Sequence, residues 1–195
     1  MRTSIFTILT ATLVLSACGA TGTSISEQNT NPITASRYGE ELADRMADLV
    51  IQKDPILSEP GMEEYVNAEI EKGKKIAEKA RDIQDRGMMG PILPMKQTVL
   101  GYALYVDDTL YLSSDFQSDP GSALHLYLTT VVDPRDGTFP DQTAIDLGVI
   151  QSQYGPSSYA VPHQDKPELY RTLVFYETKL KRLYGFAQLS MNNAQ

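Results

Sequence analysis

The sequence predicts a mainly β protein, a small antiparallel β-sandwich or barrel preceded by two amphipathic α-helices. Two periodicities and one compositional fact carry that expectation. Apolar residues recur every three to four positions between about residues 36 and 86, and every second position from about residue 97 onward; these are the repeats of a helix face and of a half-buried strand. With 195 residues, 42% hydrophobic and 22% charged, the chain is long enough to bury one compact core and carry appendages.

The first helix is expected to open at Ser36 as its N-cap and to place Tyr38, Leu42, Met46, Leu49 and Val50 on one face. Asp54-Pro55 ends it, because proline cannot donate a backbone hydrogen bond. A second helix runs from about Met62 to Arg86, with Val66, Ile70, Ala77, Ala80 and Ile83 in a narrower stripe. Glu63 and Glu64 suit the positive end of its dipole, and Glu71 with Lys75 forms an i,i+4 pair. Gly73 near its centre costs about 1 kcal/mol relative to Ala, so this helix needs tertiary support. Its Glu/Lys-rich surface reads as the solvated side of a packed helix or spacer hairpin; the sharper alternative is a partner-binding helix.

Gly87-Met88-Met89-Gly90-Pro91 and Pro94 end the helical regime and put a boundary near residue 95, giving a helical region 36–95 and an all-β domain 96–195. Seven runs read as strands: 99–106, 109–113, 123–131, 144–150, 158–161, 170–177 and 180–189. Turn residues such as Asp107-Asp108, Asp119-Pro120-Gly121 and Gly155-Pro156 separate most of them. Alternation assigns Leu124, Leu126 and Leu128 to the core, and His125, Tyr127 and Thr129 to the opposite face. It likewise sets Leu183, Gly185, Ala187 and Leu189 against Arg182, Tyr184, Phe186 and Gln188.

At the N-terminus, Arg2 precedes an apolar stretch from Ile5 to Leu15 that is too short to span a bilayer, and residues 1–17 read as a secretory signal. Leu15-Ser16-Ala17-Cys18 resembles the bacterial lipobox, in which small residues precede a cysteine that receives a diacylglycerol on its sulfur. The resemblance implies lipidation of Cys18, membrane lipid as a partner, and an extracytoplasmic, lipid-anchored place in a bacterial cell envelope. Each buried methylene contributes about 0.8 kcal/mol, so two or more acyl chains hold firmly. Residues 18–35, rich in Gly, Ser, Thr and Asn, read as the lipidated cysteine and a flexible tether.

Composition excludes several classes of function. The formal charge of −8, from 17 Lys and Arg against 25 Asp and Glu, repels phosphate backbones and argues against a nucleic-acid partner. A single Cys permits no intrachain disulfide, and with two His it cannot build a cysteine-rich zinc or iron–sulfur cage. No nucleophile elbow, zinc helix or phosphate loop is present. Asp133-x-x-Asp136-Gly137 lacks the ligand spacing of a calcium loop and reads as a turn. No catalytic residue is assigned.

Several pieces in order carry a family resemblance: Gly101 through Leu112 (GYALYVDDTLYL), Leu124 to Leu128 (LHLYL), Asp146-Leu147-Gly148, Tyr159-Ala160-Val161-Pro162, and Tyr184 to Leu189 (YGFAQL). Together they resemble the electron-transfer DM-thirteen domain family, an all-β extracytoplasmic module. In that family the strand after the Y-x-x-P turn carries a cysteine following an aromatic residue, and that thiol underlies a redox or haem-associated role. Here Tyr176 takes the aromatic position and Glu177 the cysteine position. A carboxylate cannot cycle between thiol and disulfide, so Glu177 is expected to be solvated or paired with Lys179 or Arg182. His125 and His163 are candidate axial ligands for haem or copper, set against the plainer reading of ordinary lone histidines. Met88 and Met89 could take copper(I), but methionines in such a segment more simply pack or flex. A tyrosine set (Tyr102, Tyr105, Tyr111, Tyr127, Tyr154, Tyr159, Tyr176, Tyr184) could line a ligand-accepting face.

These readings converge on a membrane-anchored lipoprotein whose β domain is a non-catalytic DM-thirteen-like module binding an envelope protein or small ligand, with no cofactor. The alternative is a redox component that holds haem or another prosthetic group noncovalently.

Overall fold

In the computed structural model, which describes residues 30–191, helix α1 spans Pro32–Ile51. Cys18 and residues 18–29 of the expected tether lie outside the described residues. Asn31 caps α1: its side chain accepts from the Ile33 and Thr34 amides, and Pro32 takes the first turn, where a missing N–H costs nothing. Asn31-Pro32 is thus the start signal, ahead of the expected Ser36, whose hydroxyl instead bonds back to the Ile33 carbonyl. Residues 32–35 therefore belong to the helix and not to the tether. A 3₁₀ turn over Pro55–Ser58, capped by Asp54, leads into α2, Met62–Gln84.

The two helices meet through their smallest residues. A Cβ on Gly39 would stand 2.5 Å from the Gly73 carbonyl oxygen, and one on Gly73 would stand 2.6 Å from that of Gly39, so the backbones touch where only glycine leaves room. Ala43 and Ala77 flank the crossing. This corrects the face expected for α1: the large residues Leu42, Met46 and Leu49 are only half-buried beside the seam, while Tyr38 and Val50 are exposed. Arg81 reaches across to Glu40 at 2.6 Å, and Glu71 pairs with Lys74 at 2.9 Å, not with Lys75. At the base, Gln84 Nε2 donates to the Pro32 carbonyl and the Ser36 hydroxyl, both at 2.8 Å. Asn31 Nδ2 donates to the Leu112 carbonyl at 2.7 Å, and Arg86 pairs with Asp107 at 3.1 Å. These contacts fasten the hairpin to the β domain.

Eleven strands follow: β1 (Met88–Pro94), β2 (Val99–Leu100), β3 (Tyr102–Val106), β4 (Thr109–Leu112), β5 (Gln117–Ser118), β6 (Leu124–Thr129), β7 (Ile145–Val149), β8 (Ser157–Ala160), β9 (Thr172–Glu177), β10 (Arg182–Gln188) and β11 (Ser190–Met191). Every pairing is antiparallel. The main sheet runs β7-β6-β9-β10-β1-β3-β4-β8, with β11 beside β1, while β2 and β5 form a separate pair. Just beyond β7, the Gln151 amide donates to the Tyr159 hydroxyl and its side chain to the Ser158 carbonyl, both at 2.9 Å. These bonds draw the two outermost strands together into a nearly closed barrel.

The sheet starts at Met88, upstream of the boundary expected near residue 95. Its first strand was hidden by Gly90, Pro91 and Pro94, which signal a break on their own. They are tolerated because β1 changes partner midway, pairing with β3 over Met88–Pro91 and with β10 over Ile92–Pro94. Gly101, at a φ of 116°, splits the expected 99–106 run into β2 and β3.

Leu124, Leu126, Leu128, Leu173 and Phe175 are fully buried inside the barrel, and Phe116 stacks on Phe175 with ring centroids 5.7 Å apart. The alternation expected for β6 therefore holds. That for β10 holds for Ala187 and Leu189 against Phe186 and Gln188 but reverses at its start: a bulge between Leu183 and Gly185 turns Tyr184 into the core and leaves Leu183 outside with Phe186.

Candidate functional site

Inside the barrel, strand parity carries the row Leu173, Phe175, Glu177 inward, and Glu177 is fully buried. Its Oε2 accepts the Ala123 amide at 2.9 Å and its Oε1 the Ser122 hydroxyl at 3.4 Å. Thr178 reinforces the same junction, donating from its amide and its hydroxyl to the Ala123 carbonyl. Gly121 makes room for the carboxylate: a Cβ there would lie 2.7 Å from Oε2. The expectation that Glu177 is solvated, or paired with Lys179 or Arg182, is overturned. Its water shell is replaced by the 121–123 turn, which it pins to β9 as a structural latch.

The two histidines stand apart, each on its own carboxylate. His125 faces outward from β6, and its Nδ1 lies 3.0 Å from both oxygens of Asp146 on β7. Burial opposes ionisation of Asp146, but hydrogen bonds from His125, the Gly148 amide and Tyr127 outweigh it and hold the carboxyl below its usual range. His163 follows β8, exposed, with Nδ1 2.7 Å from Asp108; hydrogen bonding to that carboxylate and its charge raise the imidazole above its ordinary value. Asp107 and Asp108 both take positive φ, 48° and 54°, as a two-residue β3–β4 hairpin requires. Neither is glycine or asparagine, the residues that suit such a turn best. Their charges instead hold Arg86 and His163. No group of three or more His, Cys, Asp or Glu side chains able to hold a metal stands among the described residues. Met88 packs into the barrel core.

The tyrosines do not share one face. Tyr105, Tyr159 and Tyr184 are buried in the barrel core, Tyr127 and Tyr176 lie on its outer side, and Tyr102 and Tyr154 are exposed. The outer pair is covered by a segment that folds back over the sheet. Over β6, β9 and β10 the 130–144 segment forms an arch that inserts Phe139 edge-on between Tyr127, at 5.3 Å, and Tyr176, at 5.2 Å. The Phe139–Pro140 peptide is cis.

Polar bonds fix both feet of the arch. Asp141 accepts from the Thr129 hydroxyl at 2.7 Å and from the Thr143 hydroxyl at 2.6 Å, and the Gln188 side chain donates to the Val132 carbonyl. At its crown Arg135 Nε donates to Asp133 at 2.8 Å, Nη2 does the same, and the guanidinium lies over the Phe186 ring at 5.2 Å. Hydrogen bonds from Arg135's side chain and amide hold the Asp133 carboxyl down to about 2. Beneath the arch, burial and the neighbouring Asp146 charge push the Tyr127 hydroxyl up to about 12.

Between arch and sheet opens a cleft of about 760 Å³ whose wall includes Tyr127, Phe139, Tyr176 and Leu183, with Lys181 and the Asp133-paired Arg135 at its edge. The volume suits a small ligand. Sequence reasoning missed this site because it depends on a 15-residue arch folding back, although the aromatic outward positions on β6 and β9 were visible.

Fold and site define a nearly closed antiparallel β-barrel with a helical hairpin at its N-terminal side and a walled cleft on its outer face. No family model matches the chain, and no curated protein or solved structure matches it. The DM-thirteen resemblance stands on the sequence motifs alone.

Proposed function

We propose that this chain is a membrane-anchored extracytoplasmic lipoprotein whose barrel is a non-catalytic binding module. Cys18 carries the lipid, the following segment is the tether, and the glycine-seamed hairpin is the spacer between membrane and barrel. The observation that carries the binding role is the outer cleft. The barrel interior is filled by leucine, phenylalanine and tyrosine side chains, whereas the cleft sets an aromatic wall beside Lys181 and beside Arg135, which is paired with Asp133. Buried Glu177 supports a non-redox reading, since the position that the resemblance reserves for a thiol is used to latch a turn.

The anchor is tested by metabolic labelling with a fatty-acid analogue in a bacterial host. Label on the wild-type chain, absent from Cys18→Ala, is the expected result. Secretion of unlabelled wild-type chain into the medium would remove the anchor from this reading.

A further inference from the structure

We propose that a second recess, at the end of the barrel where β1 begins, binds a primary organic ammonium, its N–H groups on the Tyr105 hydroxyl and the Glu168 carboxylate and its apolar body on Met88 and Met191. This recess shares no residue with the outer cleft, so its success or failure is separate from the binding role and the lipid anchor proposed above.

An orphaned phenol makes the first part of the case. Tyr105 is only 3% exposed, yet its hydroxyl has no hydrogen-bond partner among the described residues. A buried hydroxyl left unpaired is costly and asks for a partner. The side chain lines a recess of about 470 Å³ whose wall also holds Asp108. Burial, and then the Asp108 charge, raise the phenol above its ordinary value, so the hydroxyl end lies toward that carboxylate and not in the leucine core.

Charge makes the second. The wall carries three carboxylates, Asp107, Asp108 and Glu168, against Arg86 and His163. Arg86 engages Oδ2 of Asp107 at 3.1 Å, and His163 engages Oδ2 of Asp108 at 2.7 Å. Exposed Glu168 pairs with no cation among the described residues. The rim is therefore negative whichever protonation state His163 takes. Its sign is that of the whole protein at −8, so the local and the overall field both draw a cation.

The shape of the wall makes the third. Met88 is the Cα partner of Tyr105 on β3 and of Met191 on β11, which sets both thioethers on the phenol's face of the sheet. Met191 is 53% exposed, and thioethers accept an apolar body, an aromatic one above all. No group of three or more His, Cys, Asp or Glu able to hold a metal stands among the described residues, and the volume suits a small molecule better than a bare ion. A quaternary ammonium would bring no N–H to the phenol oxygen, and a neutral alcohol would leave Glu168 unmatched.

The test is a resonance titration of the chain, ¹³C-labelled at its methionine methyls and ¹⁵N-labelled at its amides, with phenethylamine. As controls, 2-phenylethanol lacks the charge, phenethyltrimethylammonium the N–H groups and methylamine the ring. Saturable shifts of the Met88 and Met191 methyls and of amides in 105–108 and 163–168 are expected for phenethylamine, with affinity at least about fivefold weaker for each control. Tyr105→Phe is expected to weaken phenethylamine about tenfold while leaving the urea midpoint unchanged or higher, because it removes an unpaired hydroxyl. A hydroxyl needed only by the fold would lower that midpoint and leave affinity alone. Glu168→Gln, at the surface, is expected to weaken the amine about threefold. No saturation by tens of millimolar amine, equal binding of 2-phenylethanol or of the quaternary analogue, or undiminished affinity in either variant would overturn the proposal.

Discussion

The hairpin and the barrel reach stability by opposite means. In the hairpin the decisive residues are those with no side chain, because Gly39 and Gly73 let two backbones touch. In the barrel they are side chains that fill space, with Leu124, Leu126 and Leu128 fully buried. Added volume should therefore harm the first region and removed volume the second.

The largest expected effect comes from Gly73→Leu, whose Cβ alone would meet the Gly39 carbonyl. It should cost at least about 3 kcal/mol and part the helices, seen as lost helical circular dichroism while amide exchange in β6 and β9 stays protected. The mirror experiment, Leu126→Ala, should cost about 2 to 5 kcal/mol by leaving a cavity. It should expose the barrel amides first. If the two substitutions melt the same amides together, the contrast between the regions fails.

Next in size is Glu177→Ala, which strands the buried Ala123 amide and should cost about 1 to 3 kcal/mol in urea unfolding. Glu177→Gln keeps an acceptor and should cost less. Equal losses would mean that carboxylate charge, not the hydrogen bond to the turn, is what matters there.

Smaller effects come from titration on the two faces of the barrel domain. Tyr127 is raised to about 12 from 10.0, so the unfolded chain ionises this phenol first. Stability should fall as pH climbs from 10 towards about 12, and near-ultraviolet phenolate absorbance should show Tyr127 ionising late, together with Tyr105, which burial also raises. His163 is raised above 6.5 by Asp108. Its contribution is complete below that unfolded value and fades as pH rises through the folded one. Imidazole chemical shifts should return to an ordinary midpoint in Asp108→Asn.

Much of this architecture was legible in the residues. The two helices, the change to period two and the buried leucine row of β6 follow from local repeats, and their burial follows directly. What escaped was non-local. The α1 seam runs through Ala35, Gly39 and Ala43, because close backbone approach rewards small residues that a hydrophobicity pattern passes over. The β10 bulge reversed Tyr184 and Leu183 by inserting one residue into an otherwise regular alternation. The location of Glu177 is the exception, a local matter of parity: two positions beyond Phe175 on the same strand, it had to face inward. The histidine partners Asp146 and Asp108 lie 21 and 55 residues away in sequence, beyond any spacing motif, and the cleft needed the arch to close over the sheet.

The most direct test of a binding module, as against a redox carrier, is the visible absorption spectrum of the protein purified from its native envelope. The account predicts a colourless protein without a Soret band. A stoichiometric Soret band that disappears in His125→Ala or His163→Ala would contradict it.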